Sequence, residues 1–180
     1  MEISRILPKV PHGFNNVVAL EKNLKKQKEG YWLERGQLRA LKLFKLMSMR
    51  VPAYRDFLRK NKVNPDNVKS IRDFKYIPTI DKYNYLRQYP LESLCWDGIF
   101  NKKKWLISTT SGSTGEPFYF PRETEQDRQY AILAELYLRT NFQIDKKSTL
   151  YIIGFPMGAW IGGVFTLEAL QILAERGGYN

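Results

Sequence analysis

The run Thr109-Thr110-Ser111-Gly112-Ser113-Thr114-Gly115-Glu116-Pro117 limits the folds open to this chain more than any other stretch. Trp105-Leu106-Ile107-Ser108 ahead of it is apolar and β-branched and reads as a buried strand. Phe118-Tyr119-Phe120 behind it reads as another, followed by Pro121. Two strands joined by small hydroxylated residues and glycines predict a hairpin with an enlarged tip. Gly112 and Gly115 can enter backbone regions closed to other residues, so successive N–H groups can converge on an anion. The hydroxyls of Thr110, Ser111, Ser113 and Thr114 add donors without adding charge. Such a tip suits phosphate oxygens. Ser, Thr and Gly are also ordinary turn residues, so composition leaves a plain hairpin tip open beside it.

Two better-known nucleotide loops are excluded. A Walker loop needs Gly-Lys-Ser/Thr running into a helix, whereas Gly115 is followed by Glu116-Pro117 and a strand. The Gly-x-Gly-x-x-Gly spacing of a dinucleotide fold is not present in the loop either.

Thr110-Ser111-Gly112-Ser113-Thr114-Gly115-Glu116-Pro117 closely resembles the phosphate-loop signature of the adenylate-forming (AMP-binding) superfamily. Upstream, Leu38-Arg39-Ala40-Leu41, Val51-Pro52-Ala53-Tyr54-Arg55 and Ile77-Pro78-Thr79-Ile80-Asp81-Lys82 are similar to blocks of its phenylacetate–CoA ligase branch, in matching order. The resemblance runs from about residue 36 to residue 180. It implies an AMP-forming acyl- or aryl-CoA ligase with ATP, Mg²⁺ and coenzyme A as cofactors and a small-molecule carboxylic acid as substrate. It further implies that residues 110 to 116 hold the nucleotide phosphates. Glu116 stands where many members carry Lys, which removes a cation beside the polyphosphate.

Full members of that family are much longer than 180 residues. The chain is therefore expected to be an N-terminal portion, without the later acidic motifs and the mobile lysine-bearing domain. As an isolated chain it is expected not to turn over, and no residue in it stands out as catalytic. The expected architecture is α/β: a mainly helical region over 1–95, then over 96–180 a phosphate-loop hairpin and the first α/β unit of an incomplete domain.

The net charge of +11 favours polyanions, whether nucleotide, coenzyme A, nucleic acid or an anionic membrane surface. The densest runs, Lys25-Lys26-Gln27-Lys28 and Lys102-Lys103-Lys104, read as solvated faces and turns. Aromatic residues interleave with the basic ones, at Tyr31, Trp32, Tyr83, Tyr85, Tyr89, Trp96 and Trp105. Helical or strand register would bury most of them, so packing is preferred to base stacking. Neither nucleic acid nor a membrane is the expected partner. A basic module without chemistry, binding polyanions or protein partners, is the alternative function; an apolar face left bare would then predict homodimers or aggregation.

Cys95 is the single cysteine and His12 the single histidine, so the chain can form neither an internal disulfide nor a thiolate metal cluster. This composition fits a reducing cytoplasm, and Met1 to Leu20 lacks the apolar run of a signal peptide. Leu150 to Leu167 is uncharged but broken by Gly154, Pro156, Gly158, Gly162 and Gly163, which disfavours a spanning helix.

Periodicity predicts a helix over 36–49, another opening at Pro52 with Tyr54, Phe57 and Leu58 inward, and a start at Ser70 with Asp73 near the positive helix end. It also predicts a helix over 124–140, capped at Thr124 with Asp127 completing the pattern. A wide apolar side of Tyr130, Ala131, Leu133, Ala134, Tyr137 and Leu138 would face the core. A strand at Leu150-Tyr151-Ile152-Ile153 and a helix over 165–176 complete the list. Between those two, Phe155, Met157 and Trp160 are expected to wall an apolar pocket, with Gly162 and Gly163 admitting a substrate to the backbone; the resemblance implies that an acyl or aryl group is held there. A tightly packed corner is the competing reading of the same residues.

Overall fold

The computed structural model describes residues 16–101, 105–110, 112, 116–177 and 179. Ser111, Ser113, Thr114 and Gly115 of the loop, His12 and the Lys102 to Lys104 run lie outside these residues. The architecture is mixed α/β and mainly helical. In chain order come α1 (Val17–Lys26), α2 (Glu29–Arg50), α3 (Pro52–Lys60), β1 (Leu106–Thr109), β2 (Tyr119–Arg122), α4 (Thr124–Phe142) and α5 (Ile161–Gly177), with short 3₁₀ turns between α3 and β1. The chain divides into two compact units, Gln27–Lys103 and Met1–Lys26 with Lys104–Asn180.

The first unit is helical. Its α2 begins seven residues before the predicted start and runs through Gly30 and Gly36, neither of which ends it. Pro52 opens α3, where its fixed φ suits the first turn and its missing N–H is not needed. The core gathers Phe44, Val51, Ala53, Tyr54, Phe57, Leu58, Val68 and Tyr85. Tyr54 and Tyr85 meet edge to face, their centroids 6.1 Å apart at 88°, a favourable alignment of ring quadrupoles. Ser70 starts the turn as expected, and Asp73, expected only near the positive end of the dipole, completes a reciprocal cap, the Ser70 N–H donating to its carboxylate at 2.8 Å. They cap a 3₁₀ turn rather than an α-helix. Of the interleaved rings, Tyr85 is buried as expected, but Tyr31 and Tyr83 are exposed.

In the second unit β1 and β2 pair antiparallel, Leu106 opposite Arg122 and Thr109 opposite Tyr119. Helices α4 and α5 pack on each other, and α1 packs on α4. Ala131, Ile132, Ala169 and Leu173 are buried there. Three expectations need correction. The first residues of β1, Leu106 and Ile107, are exposed, and the buried ones are Ser108 and Thr109. The reciprocal cap of α4 is made by Glu123 and Gln126, because Asp127 is drawn inward. Its buried positions are Asp127, Ala131, Ile132 and Glu135, while Leu133 and Tyr137 are exposed.

Leu150 to Ile153 forms no strand. An extended segment becomes a strand only with a neighbour to exchange hydrogen bonds, and no described residue offers it a ladder. No helix is long and apolar enough to cross a membrane among the described residues.

Candidate functional site

The hairpin tip is closed at its base by Thr110. Its N–H donates to the Phe118 carbonyl at 3.0 Å, and its hydroxyl oxygen accepts from the Phe118 N–H at 3.0 Å. This double clasp continues the ladder by one residue beyond Thr109 and Tyr119. Gly112 has φ +70, in the left-handed region where a side chain is disfavoured. Glu116 and Pro117 are exposed on the returning limb. Of the two glycines expected to turn the loop, Gly112 takes such a conformation and Gly115 lies outside the described residues. Among the described tip residues the donors are neutral, and the one carboxylate, Glu116, follows the turn.

The glycine-rich segment meets the hairpin at one place. The Thr109 N–H donates to the Ala159 carbonyl at 2.7 Å, and Thr109 forms a parallel bridge with Trp160. The two stretches singled out by sequence thus join at the end of β1. Phe155, Met157 and Trp160 are all exposed, as is Gly162, so they line an open face rather than enclose a cavity. Gly163 is buried, and a Cβ there would stand 2.2 Å from the Pro156 carbonyl oxygen. Close packing of this corner explains Gly163. At Gly162 the nearest atom, on the Phe155 ring, would be 4.0 Å away, which leaves room.

A polar cluster that sequence reasoning did not find lies beneath the hairpin. Arg122, at the end of β2, is buried with Asp127 of α4, its Nη2 3.5 Å from Oδ1. The same Nη2 is 3.5 Å from Oε2 of Glu168 on α5. The guanidinium carbon sits 4.4 Å from the centroid of the Phe165 ring, which in turn stacks on Tyr130 at 4.5 Å. Burial pushes the Glu168 carboxyl above its ordinary range, and the adjacent Asp127 carboxyl adds to this while Arg122 opposes it. Beside the cluster is a groove of about 440 Å³ lined by Trp105, Asp127, Glu168 and Glu175 among others. One buried guanidinium faces both carboxyls, so the cluster ties β2, α4 and α5 together. Arg122 directly after Pro121 and Asp127 in the first turn of α4 carry no motif, and Glu168 is too distant in sequence to be linked to them.

A second such knot holds α4 to the end of α5. Glu135 is buried and pairs with Arg176, and the Tyr179 hydroxyl donates to its Oε1 at 2.7 Å. Cys95 is partly buried, its thiol donating to the Leu91 carbonyl at 3.4 Å, and burial raises its pKa. A thiol held in that way is a poor nucleophile. Among the described residues no group of three or more His, Cys, Asp or Glu could hold a metal ion. No protein-family model matches the chain, and no curated protein matches it.

Proposed function

We propose that the chain supplies the phosphate-binding hairpin of an AMP-forming carboxylate–CoA ligase resembling the phenylacetate branch of the adenylate-forming superfamily. The observation that carries this reading is the backbone at two described positions of the octapeptide: Thr110 clasps Phe118 at the end of the antiparallel hairpin, and Gly112 is left-handed. Residues 110 to 116 would hold the β- and γ-phosphates of ATP, with Mg²⁺ arriving on the nucleotide. Amide and hydroxyl donors there would offset charge building on departing pyrophosphate.

In the reaction a carboxylate oxygen attacks the α-phosphorus of ATP and pyrophosphate leaves with the bonding pair. The thiol of coenzyme A then attacks the acyl carbon and AMP departs. Joining the acid to AMP replaces an oxide leaving group with a stable one. The chain's own residues would bind phosphate rather than carry out a catalytic step, in a cytoplasmic setting. Phe155, Met157 and Trp160 would meet the acyl or aryl group only as one side of its pocket.

Calorimetric titration of the chain with MgATP, pyrophosphate and AMP tests the reading. ATP and pyrophosphate should bind and AMP alone should bind far more weakly, because the loop addresses the terminal phosphates. A Gly112→Ala change forces a side chain into the left-handed region at about 1 kcal/mol, and should weaken ATP about five-fold. Absence of ATP and pyrophosphate binding, with oligonucleotide binding retained, would replace this reading by a basic polyanion-binding module. Acyl-CoA formation by the purified chain would refute the expectation that it cannot turn over alone.

A further inference from the structure

The positive charge is not shared evenly between the two units. Residues 27–103 carry 17 Lys and Arg against 8 Asp and Glu, so +9 of the chain's +11 belongs to the helical unit. Within that unit α2 has 22 residues but only two buried side chains, Phe44 and Ser48. Its other side follows the i, i+4, i+7 rule through Tyr31, Arg35, Leu38, Lys42, Lys45 and Met49, and all six are exposed. Leu38 is 61% exposed and Met49 71%. At 1.5 Å per residue this row extends about 27 Å.

We propose that this side of α2 docks on an anionic lipid surface, with the helix axis lying in the plane of the headgroups. The row mixes three apolar or aromatic side chains, Tyr31, Leu38 and Met49, with three cationic ones, Arg35, Lys42 and Lys45. Nucleic-acid phosphates would engage Arg35, Lys42 and Lys45 and leave Leu38 and Met49 in water. A headgroup layer takes both kinds: the apolar groups enter the acyl boundary while Lys and Arg stems lie along it and their charges reach phosphate. Tyr31, with the Arg35 guanidinium 5.1 Å from its ring centroid, offers an apolar ring with a polar end, which suits headgroup depth. Glu34 is the one carboxylate flanking the row, and Lys28 and Arg39 flank it with the opposite sign. Surface docking requires no spanning segment, and it departs from the reading of the basic residues as merely solvated faces. The proposal stands independently of the ligase reading.

Co-sedimentation of the full chain with vesicles tests it. Vesicles of phosphatidylcholine with about 30 mol% phosphatidylglycerol should bind the chain, and pure phosphatidylcholine should bind it weakly. Raising salt from about 0.15 M to about 1 M shortens the screening length from roughly 8 to 3 Å and should release most of the chain. Changing Arg35, Lys42 and Lys45 each to Glu should lower vesicle binding about ten-fold or more. Changing Leu38 and Met49 each to Ser should lower vesicle binding about ten-fold and leave binding to heparin unchanged. All five positions are exposed, and far-ultraviolet circular dichroism of both variants should match wild type. No binding to anionic vesicles, or vesicle binding unaltered in either variant, would overturn the proposal. So would displacement of the chain from vesicles by an equal mass of single-stranded oligonucleotide.

Discussion

Gly163 and Gly162 look equivalent in sequence and differ in what surrounds them. The Pro156 carbonyl oxygen occupies the space a Cβ at Gly163 would need, and backbone cannot step aside as a flexible side chain does. Gly163→Ala should therefore destabilise the chain by about 1–3 kcal/mol, read as a lower denaturation midpoint. Gly162→Ala, with open space around it, should be neutral or stabilise by up to about 1 kcal/mol through helix propensity. Equal effects at both positions would remove the packing explanation of Gly163. Arg50 offers a second contrast at this scale. Its Nε donates to Asp97 Oδ1 at 3.0 Å, its guanidinium lies over Trp96, and its Nη1 is buried without a hydrogen-bond partner. Asp97→Ala would strand this guanidinium and should cost about 1–3 kcal/mol in urea denaturation at neutral pH. The Arg50 pair holds the Asp97 carboxyl below its ordinary range. Its contribution is thus present above the unfolded carboxylate pKa and lost as pH falls through the lower folded value. The gap between wild type and Asp97→Ala should accordingly narrow in acid.

Between elements, the knot of Arg122, Asp127 and Glu168 decides how β2, α4 and α5 meet. Asp127→Ala removes the partner that is itself buried and should cost about 3 kcal/mol, because a guanidinium out of water is left undercompensated. Glu168 behaves oppositely toward pH. Its pKa is raised in the folded chain, by burial first and then by Asp127. The stability it lends is full below the unfolded pKa and is lost as pH rises through the folded one. Glu168→Gln cannot ionise, so as pH rises above the ordinary carboxylate value it should lose less stability than wild type in thermal denaturation. A larger loss in the variant would mean that Glu168 is charged throughout this rise.

For the whole molecule, the largest departure from ordinary burial is in the segment ahead of α5. Leu150 and Ile152 are each 86% exposed, and Phe155, Met157 and Trp160 follow on the open side. From 150 to 158 the backbone makes no hydrogen bond to another described backbone group. Extended backbone without a ladder, carrying bare apolar side chains, promotes association. The molar mass by light scattering should rise with concentration, and changing Leu150 and Ile152 each to Ser should suppress that rise. A concentration-independent monomer mass for wild type would contradict this.

What the amino-acid order determined by itself is local. The strands around the loop, the helix opening at Pro52, the Ser70–Asp73 cap and the left-handed turn at Gly112 each depend on a few neighbouring residues, and each was legible. Tertiary structure decided which sides turn inward. Asp127 and Glu135 are buried because Arg122 and Arg176 are brought to them, and no helical period signals a charged residue as core. Leu106 and Ile107 stay exposed, and Leu150 to Ile153 stays unpaired, for the converse reason. Backbone preference is settled within a turn or two of chain, whereas burial and strand pairing are relations between segments that sequence leaves far apart.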